Sequence, residues 1–313
     1  MKAIIYTQYG KPNVLEVSEL PTPKMKEGHA LIKINAMALN PRDIAIRAGA
    51  LKIFSGTNFP KLTGADFSGV IDKLPASESS FKVGDEVFGY FEDITGGVSA
   101  SFVNIPIKYL AQKPKHITHA RASALGCAYL TALQALRDKA EIAKGMKVAI
   151  YGASGGVGTA AIQLAKYFEA EITAISHSRN RAYCLKQGAQ NFIAYDEQDV
   201  FAENLKYDAF FQVYVNGGDV YSKAKKITNK KGAFISLNPN PITKLKHTFR
   251  KPTYQLMMVK NKPEDLNFLA KLTEEDKLNP IIFKEYKPED IIGAHETLQN
   301  GQSIGKLVVK FAN

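Results

Sequence analysis

The segment Val148-Ala149-Ile150-Tyr151-Gly152-Ala153-Ser154-Gly155-Gly156-Val157-Gly158 constrains this chain more than any other. Lys147–Tyr151 is an apolar run with the character of a buried strand, and it breaks abruptly into glycines. Gly152, Gly155 and Gly158 recur at every third position, and Thr159–Phe168 continues with Ala161, Leu164, Ala165 and Phe168 at helical spacing. Strand, glycine turn and helix in that order make a dinucleotide-binding fingerprint. The first glycine permits positive φ, the second lets backbone approach a pyrophosphate, and the third lets the helix pack close to the strand. Unpaired N–H groups at the helix start, aided by the helix dipole, face the phosphates. Ser154, Gly155, Gly156 and Val157 are the candidate contacts in this turn.

The rest of the chain is organised around that unit. From Met146 to about Leu237, strand-like runs (Lys147–Tyr151, Glu171–Ile175, Asn191–Tyr195, Ala209–Tyr214, Gly232–Leu237) alternate with helix-like ones, which implies a doubly wound parallel sheet. Residues 1–115 read as β-rich, with short alternating runs at Lys2–Thr7, Ala30–Ala38, Ser68–Leu74, Glu86–Tyr90 and Ser101–Ile105 between Pro and Gly punctuation. Between Thr118 and Lys139 the period turns helical. Pro263–Lys271 and Pro288–Gln299 read as helices, Pro280–Tyr286 and Lys306–Phe311 as strands. The expected division is therefore a β-rich domain over residues 1–117, completed by 262–313, and a dinucleotide-binding domain over 118–261.

Composition narrows the class. With 45% hydrophobic and 23% charged residues in 313, the chain reads as an ordinary globular protein with room for two domains. No apolar run approaches the roughly 20 residues of a membrane span, and the N-terminus enters a strand pattern without a signal-peptide layout. Two cysteines, Cys127 and Cys184, offer no disulfide framework, which favours a reducing, cytoplasmic setting. The net charge of +11 is spread out; its densest cluster, Lys223 to Lys231, lacks the aromatic interleaving of a single-strand binder. The charge is read as a solvated basic surface with no membrane partner; nucleic-acid binding stays a competing reading.

Several motifs then add up. They are Gly10-Lys11-Pro12-Asn13-Val14-Leu15, Asn40-Pro41-Arg42-Asp43 with Arg47 and Gly49, Gly64-Ala65-Asp66-Phe67-Ser68-Gly69, and Lys82-Val83-Gly84-Asp85-Glu86-Val87. Leu130-Thr131-Ala132-Leu133-Gln134-Ala135-Leu136, the glycine turn and the closing Gly305-Lys306 follow in order. With them the chain resembles the zinc-independent quinone oxidoreductase branch of the medium-chain dehydrogenase/reductase superfamily. The resemblance implies an α/β fold: a GroES-like β-rich catalytic domain plus a Rossmann doubly wound parallel sheet. It implies hydride transfer from a nicotinamide cofactor to quinones, enones or related carbonyls, in a homodimer.

Zinc-dependent relatives carry a Cys where this chain has Asn40, a His where it has Ala65, and a third ligand where it has Cys127. A zinc site needs three protein ligands, and one thiol with an amide and a methyl group is not that set. The six histidines supply no compensating pair at metal-ligand spacing, so no metal is expected. Cys127 is read as a small core residue.

An acid at the end of the second strand, roughly 20 residues after the glycine turn, would bind the ribose 2′-hydroxyl of NADH. Here Ile172–Ile175 runs into Ser176-His177-Ser178-Arg179-Asn180-Arg181 without a carboxylate. Arg179 and Arg181 can pair with a 2′-phosphate, and the resemblance places the Tyr195 hydroxyl near it. The expected cofactor is NADPH. Near the later strand ends, Asn216 and Leu237 are expected on its nicotinamide side.

Without a metal, other groups must stabilise the charge that hydride addition places on the substrate oxygen. A quinone or enone gives a delocalised anion that needs less help than an alkoxide. Asn40 is the candidate donor; an Asx turn before Pro41 is the structural alternative. Arg42 is a candidate for binding cofactor phosphate or substrate, or for plain solvation. Thr131 matches a family residue beside the nicotinamide, and otherwise a helical Thr bonded to its own backbone. Two other readings stay open: a metal-free alcohol or aldehyde oxidoreductase, and a non-catalytic NADPH-sensing or nucleic-acid-binding protein.

Overall fold

A computed structural model describes residues 1–75, 80–95, 97–201, 206–214, 218, 220–238, 251–301 and 303–311. The chain divides into two compact units: Met1–Leu130 with Lys260–Asp276 and Pro280–Asn313, and Thr131–Val259 with Lys277–Asn279. The first unit opens with β1 (Lys2–Tyr6), β2 (Leu15–Glu19), β3 (His29–Ala38) and the short helices α1 (Pro41–Arg47) and α2 (Lys52–Ser55). Next come β4 (Lys61–Leu62), β5 (Asp66–Lys73), β6 (Glu86–Tyr90), β7 (Phe102–Pro106), β8 (Leu110–Gln112), α3 (His119–Ser123) and α4 (Cys127–Leu133). The second unit contains β9 (Lys147–Tyr151), α5 (Gly156–Tyr167), β10 (Glu171–Ser176), α6 (Arg181–Gln187) and β11 (Asn191–Ala194). It continues with β12 (Tyr207–Gln212), α7 (Tyr221–Ala224), β13 (Thr228–Ser236) and β14 (Thr253–Leu256). The chain then rejoins the first unit through α8 (Pro263–Glu274), β15 (Ile282–Tyr286), α9 (Ile291–Gln299) and β16 (Lys306–Lys310).

In the second unit, six strands run parallel in the order β11-β10-β9-β12-β13-β14. This is the doubly wound order, with its switch between β9 and β12, and it confirms the parallel sheet expected from the alternation. Strands buried on both faces read as continuous apolar runs, and Ile150, Ile175, Phe211 and Ile235 are all fully buried. Phe210 stacks on Phe234 at 5.7 Å between ring centroids, and Phe234 on Tyr254 at 5.4 Å. Because the strands are parallel, the carboxyl ends of β9 to β13 line a single edge.

The first unit is built on a sheet of order β15-β16-β3-β5-β6-β8, with β7 also paired to β3, and a smaller sheet β2-β1-β4. Neighbouring strands β16, β3 and β5 bring distant residues together: Val308 and Asp66 both register on Ala38. The start of β16 (Lys306), the end of β3 (leading to Asn40) and the start of β5 (Asp66) therefore meet at one end of the sheet.

The helical pattern over Thr118–Lys139 is interrupted: α3 ends at Ser123, α4 begins at Cys127, and Gln134–Lys139 forms a wider π turn. The backbone at the break lies against another segment. A Cβ on Gly126 would lie 2.3 Å from Asp66 Oδ1, so the backbone here is pressed against a carboxylate.

Candidate functional site

The carboxyl edge of the parallel sheet begins with the glycine turn. Gly152 has φ +95°, and a Cβ there would meet the Tyr214 backbone N at 2.8 Å. A Cβ on Gly158 would lie 2.2 Å from the Gly152 carbonyl oxygen, so α5 packs directly on the turn. Gly155 differs: its nearest neighbour to such an atom is 3.8 Å away, which leaves this face of the turn open. Gly155 caps α5, Gly156 and Val157 begin it, and the first N–H groups of a helix have no intrahelical partners. An open backbone face beside free donors fits a dinucleotide pyrophosphate.

Ser154 and Ser176 stand behind this turn with their hydroxyls 2.9 Å apart. The Asn180 amide donates to both, at 2.9 and 3.2 Å. Asn180, overlooked in the sequence reading, thus ties the β10 end to the glycine turn. Tyr195 follows β11 and stacks on Tyr214 at 6.0 Å, with Tyr151 edge-on to both rings. Burial, then the neighbouring Tyr214, holds the Tyr195 hydroxyl above its usual range; the Arg179 charge pulls the other way. Leu237 follows β13, its N–H donating to the Gln212 carbonyl at 3.1 Å. Asn216 lies outside the described residues.

The two arginines have different surroundings. Arg181 pairs with Glu197 at 3.3 Å and lies over the Phe192 ring at 4.8 Å. Arg179 is exposed and has no ion-pair partner among the described residues. The reading that no carboxylate stands at this strand end needs correction, because the structure brings one from the next strand. Asp196 accepts from the Ser178 N–H at 2.7 Å and from the Ser178 hydroxyl at 2.6 Å, and lies 3.3 Å from His177 Nδ1. The Ser178 hydroxyl holds the Asp196 carboxyl below its ordinary range. Its two oxygens are occupied in fixing the turn that carries Arg179.

In the first unit, Asn40 is buried and its amide is fully engaged. Nδ2 donates to Asp66 Oδ2 at 2.9 Å and to the Ala38 carbonyl at 3.4 Å, while Oδ1 accepts from Lys306 Nζ at 2.6 Å. Its backbone N–H donates to Asp43 Oδ2 at 2.8 Å, and Pro41 occupies the first turn, so α1 starts here for local reasons. Asp66 also accepts from the Cys127 N–H at 2.6 Å. Arg42 donates to the Tyr90 hydroxyl at 2.7 Å and to the carbonyls of Phe91, Glu92 and Asp93, clamping the segment after β6. Thr131, where the second unit begins, is buried in α4.

Burial pushes the Asp43 carboxyl up to about 7, partly offset by the Asn40 N–H and the Arg42 charge. Burial, then the Asp66 charge, pushes the Cys127 thiol up to about 12, so it stays protonated. Sequence reading overlooked Lys306 as a site residue. It appeared only in the closing Gly305-Lys306 motif, and nothing local to that motif indicates its partners.

A doubly wound unit with an open glycine turn, carried with a mainly antiparallel β unit, defines the class: a two-unit protein built to bind a dinucleotide. The family model for the alcohol dehydrogenase GroES-like domain matches residues 26–115, and that for zinc-binding dehydrogenase matches residues 187–309. The chain is 30% identical to the chloroplast envelope quinone oxidoreductase homolog of Arabidopsis thaliana, over 99% of this chain and 98% of that protein. It is 33% identical to 2-methylene-furan-3-one reductase of Solanum lycopersicum, over 99% of this chain and 79% of that one. The solved structure of quinone oxidoreductase from Coxiella burnetii is similar with a TM-score of 0.92, at 32% identity and 99% coverage of both chains. The chain belongs to the medium-chain dehydrogenase/reductase superfamily, in its quinone oxidoreductase branch.

The metal in one of those family descriptions does not fit this donor set. Asn40, Ala65 and Cys127 lie outside the matched 187–309 segment and supply one thiol, an amide and a methyl group. Among the described residues, no group of three or more His, Cys, Asp or Glu is arranged to hold a metal ion. No helix among them is long and apolar enough to cross a membrane.

Proposed function

We propose that the protein is an NADPH-dependent reductase of quinones or α,β-unsaturated carbonyls that works without a metal. The observation behind the cofactor choice is Arg179, without an ion-pair partner among the described residues, on the edge that also carries the open glycine turn. A guanidinium suits a 2′-phosphate, and Asp196 is already satisfied by Ser178. The substrate class follows from the relatives, whose names specify a quinone and a methylene conjugated to a ketone. Bound at this edge, the reduced nicotinamide supplies the hydride.

The residues of the chain do the rest. The α5 N-terminus and the Gly155 face bind the pyrophosphate, and Ser154, Ser176 and Asn180 hold the turn in shape. Arg179 and Tyr195 take the 2′-phosphate. Asn40 positions Asp66 and Asp43, with its own donors already spent on protein acceptors. A conjugated acceptor spreads the incoming charge over its π-system, and so depends less on a dedicated electrophile than a saturated aldehyde does.

The test is NADPH and NADH oxidation against a quinone, a short enone and a saturated aldehyde. Quinone or enone turnover is expected, with the aldehyde slower by about 100-fold, or ~2.7 kcal/mol. Preference for the aldehyde would overturn the substrate class. Dinucleotide binding with no turnover on any of the three would favour the sensing role.

The two arginines should separate in the same assay. Arg179→Ala is expected to raise KM for NADPH about tenfold, ~1.4 kcal/mol, with KM for NADH unchanged. Arg181→Ala, whose charge is spent on an exposed pair, should change either constant less than about twofold. Equal effects on both cofactors would remove Arg179 from the 2′-phosphate site.

A further inference from the structure

Lys306 opens β16 and is only 5% exposed. An ammonium has three N–H donors, and here each has an acceptor: Asn40 Oδ1 at 2.6 Å, the Leu39 carbonyl at 2.9 Å and Asp66 Oδ2 at 3.1 Å. Asp66 is fully buried, and the same oxygen takes the Asn40 amide, while the other takes the Cys127 N–H. One carboxylate, one amide oxygen and one carbonyl thus surround a single buried cation. A buried charge is tolerated only when paired and hydrogen-bonded, and this one is satisfied on every donor.

The charge balance matters. Lys306 and Asp66 cancel, so the cluster is neutral without a further ion. A divalent ion in the same place would need a thiolate in addition to the carboxylate, because metal ligands must be deprotonated. It would also have to displace the ammonium.

We propose that the Lys306 ammonium is the resident cation of this cluster, occupying the place of a metal and closing it to divalent ions. Asn40, Asp66 and the start of α4 are organised around a covalently attached charge. The consequence is a cluster whose geometry does not depend on metal supply or chelation.

Cobalt binding tests this directly, and needs no turnover, so its result is separate from that of the reductase reading. Asn40→Cys would place a second thiol beside Cys127 and Asp66, giving three protein ligands. With Lys306 intact, this variant is expected to bind less than about 0.1 equivalent of Co²⁺. With Lys306→Met added, it should take up about one equivalent and show sulfur-to-cobalt charge-transfer absorption. If the double variant is unfolded without metal, cobalt must restore its circular dichroism. Cobalt uptake by Asn40→Cys alone would overturn the proposal. So would a folded double variant that binds none, or an unfolded one that cobalt does not refold.

Discussion

Replacing Asp66 with Asn should cost about 3–5 kcal/mol, read as a lower urea midpoint with an unchanged slope. The change keeps the shape of the side chain and removes its charge. Lys306 would then be a buried ammonium with no anion against it, and the Asn40 amide would face a group able to donate as well as accept. Such a loss is a large fraction of the roughly 5–15 kcal/mol that holds a typical domain together. The carboxylate itself is not intrinsically stabilising, since taking it out of water is expensive. The single variant should therefore be worse than Asp66→Asn combined with Lys306→Met, which removes both charges. A double-mutant cycle measures this coupling, because the two groups touch. A cost below about 1 kcal/mol for the single variant would mean that water reaches and compensates Lys306.

The second large effect concerns the glycine turn, where two neighbouring glycines should fail in different ways. Gly158→Ala puts a methyl group 2.2 Å from the Gly152 carbonyl and 2.6 Å from Ala153 Cα. Both are backbone atoms, so the helix must move off the turn. A cost of about 1–3 kcal/mol in stability is expected, with dinucleotide affinity falling by about 100-fold. Gly155→Ala meets nothing closer than 3.8 Å. It should fold with an unchanged thermal midpoint yet bind the dinucleotide at least about tenfold more weakly, since its methyl occupies the face left for the phosphates. Calorimetric binding and thermal unfolding of the pair separate the two roles. Normal binding by Gly155→Ala would place the pyrophosphate elsewhere.

Legibility in the sequence varied with the range of the interaction. Strands β6 and β9 fall where the apolar runs at Glu86–Tyr90 and Lys147–Tyr151 put them, because each run is bounded by turn residues. Strand β2 was not picked out: Leu15–Glu19 offers only two apolar residues, Leu15 and Val17, and Val17 is exposed in the fold. The break between α3 and α4 was likewise hidden; the carboxylate that the backbone meets there, Asp66, is 61 residues from Cys127 in the chain. The separate fates of Arg179 and Arg181 depended on Glu197, Phe192 and Asp196, which become neighbours only when β10 and β11 pair.

Local signals were enough to define the dinucleotide-binding unit. They are an apolar strand, glycines where backbone must turn or approach closely, and a helix whose period follows at once. The tertiary structure alone decided what occupies the cluster around Asn40. Lys306 lies 266 residues from Asn40 and 240 from Asp66, and adjacent pairing of β16, β3 and β5 brings the three together. Periodicity and spacing record which face of an element is buried. They do not record which distant charge will lie against it, because that depends on the strand order of the folded sheet.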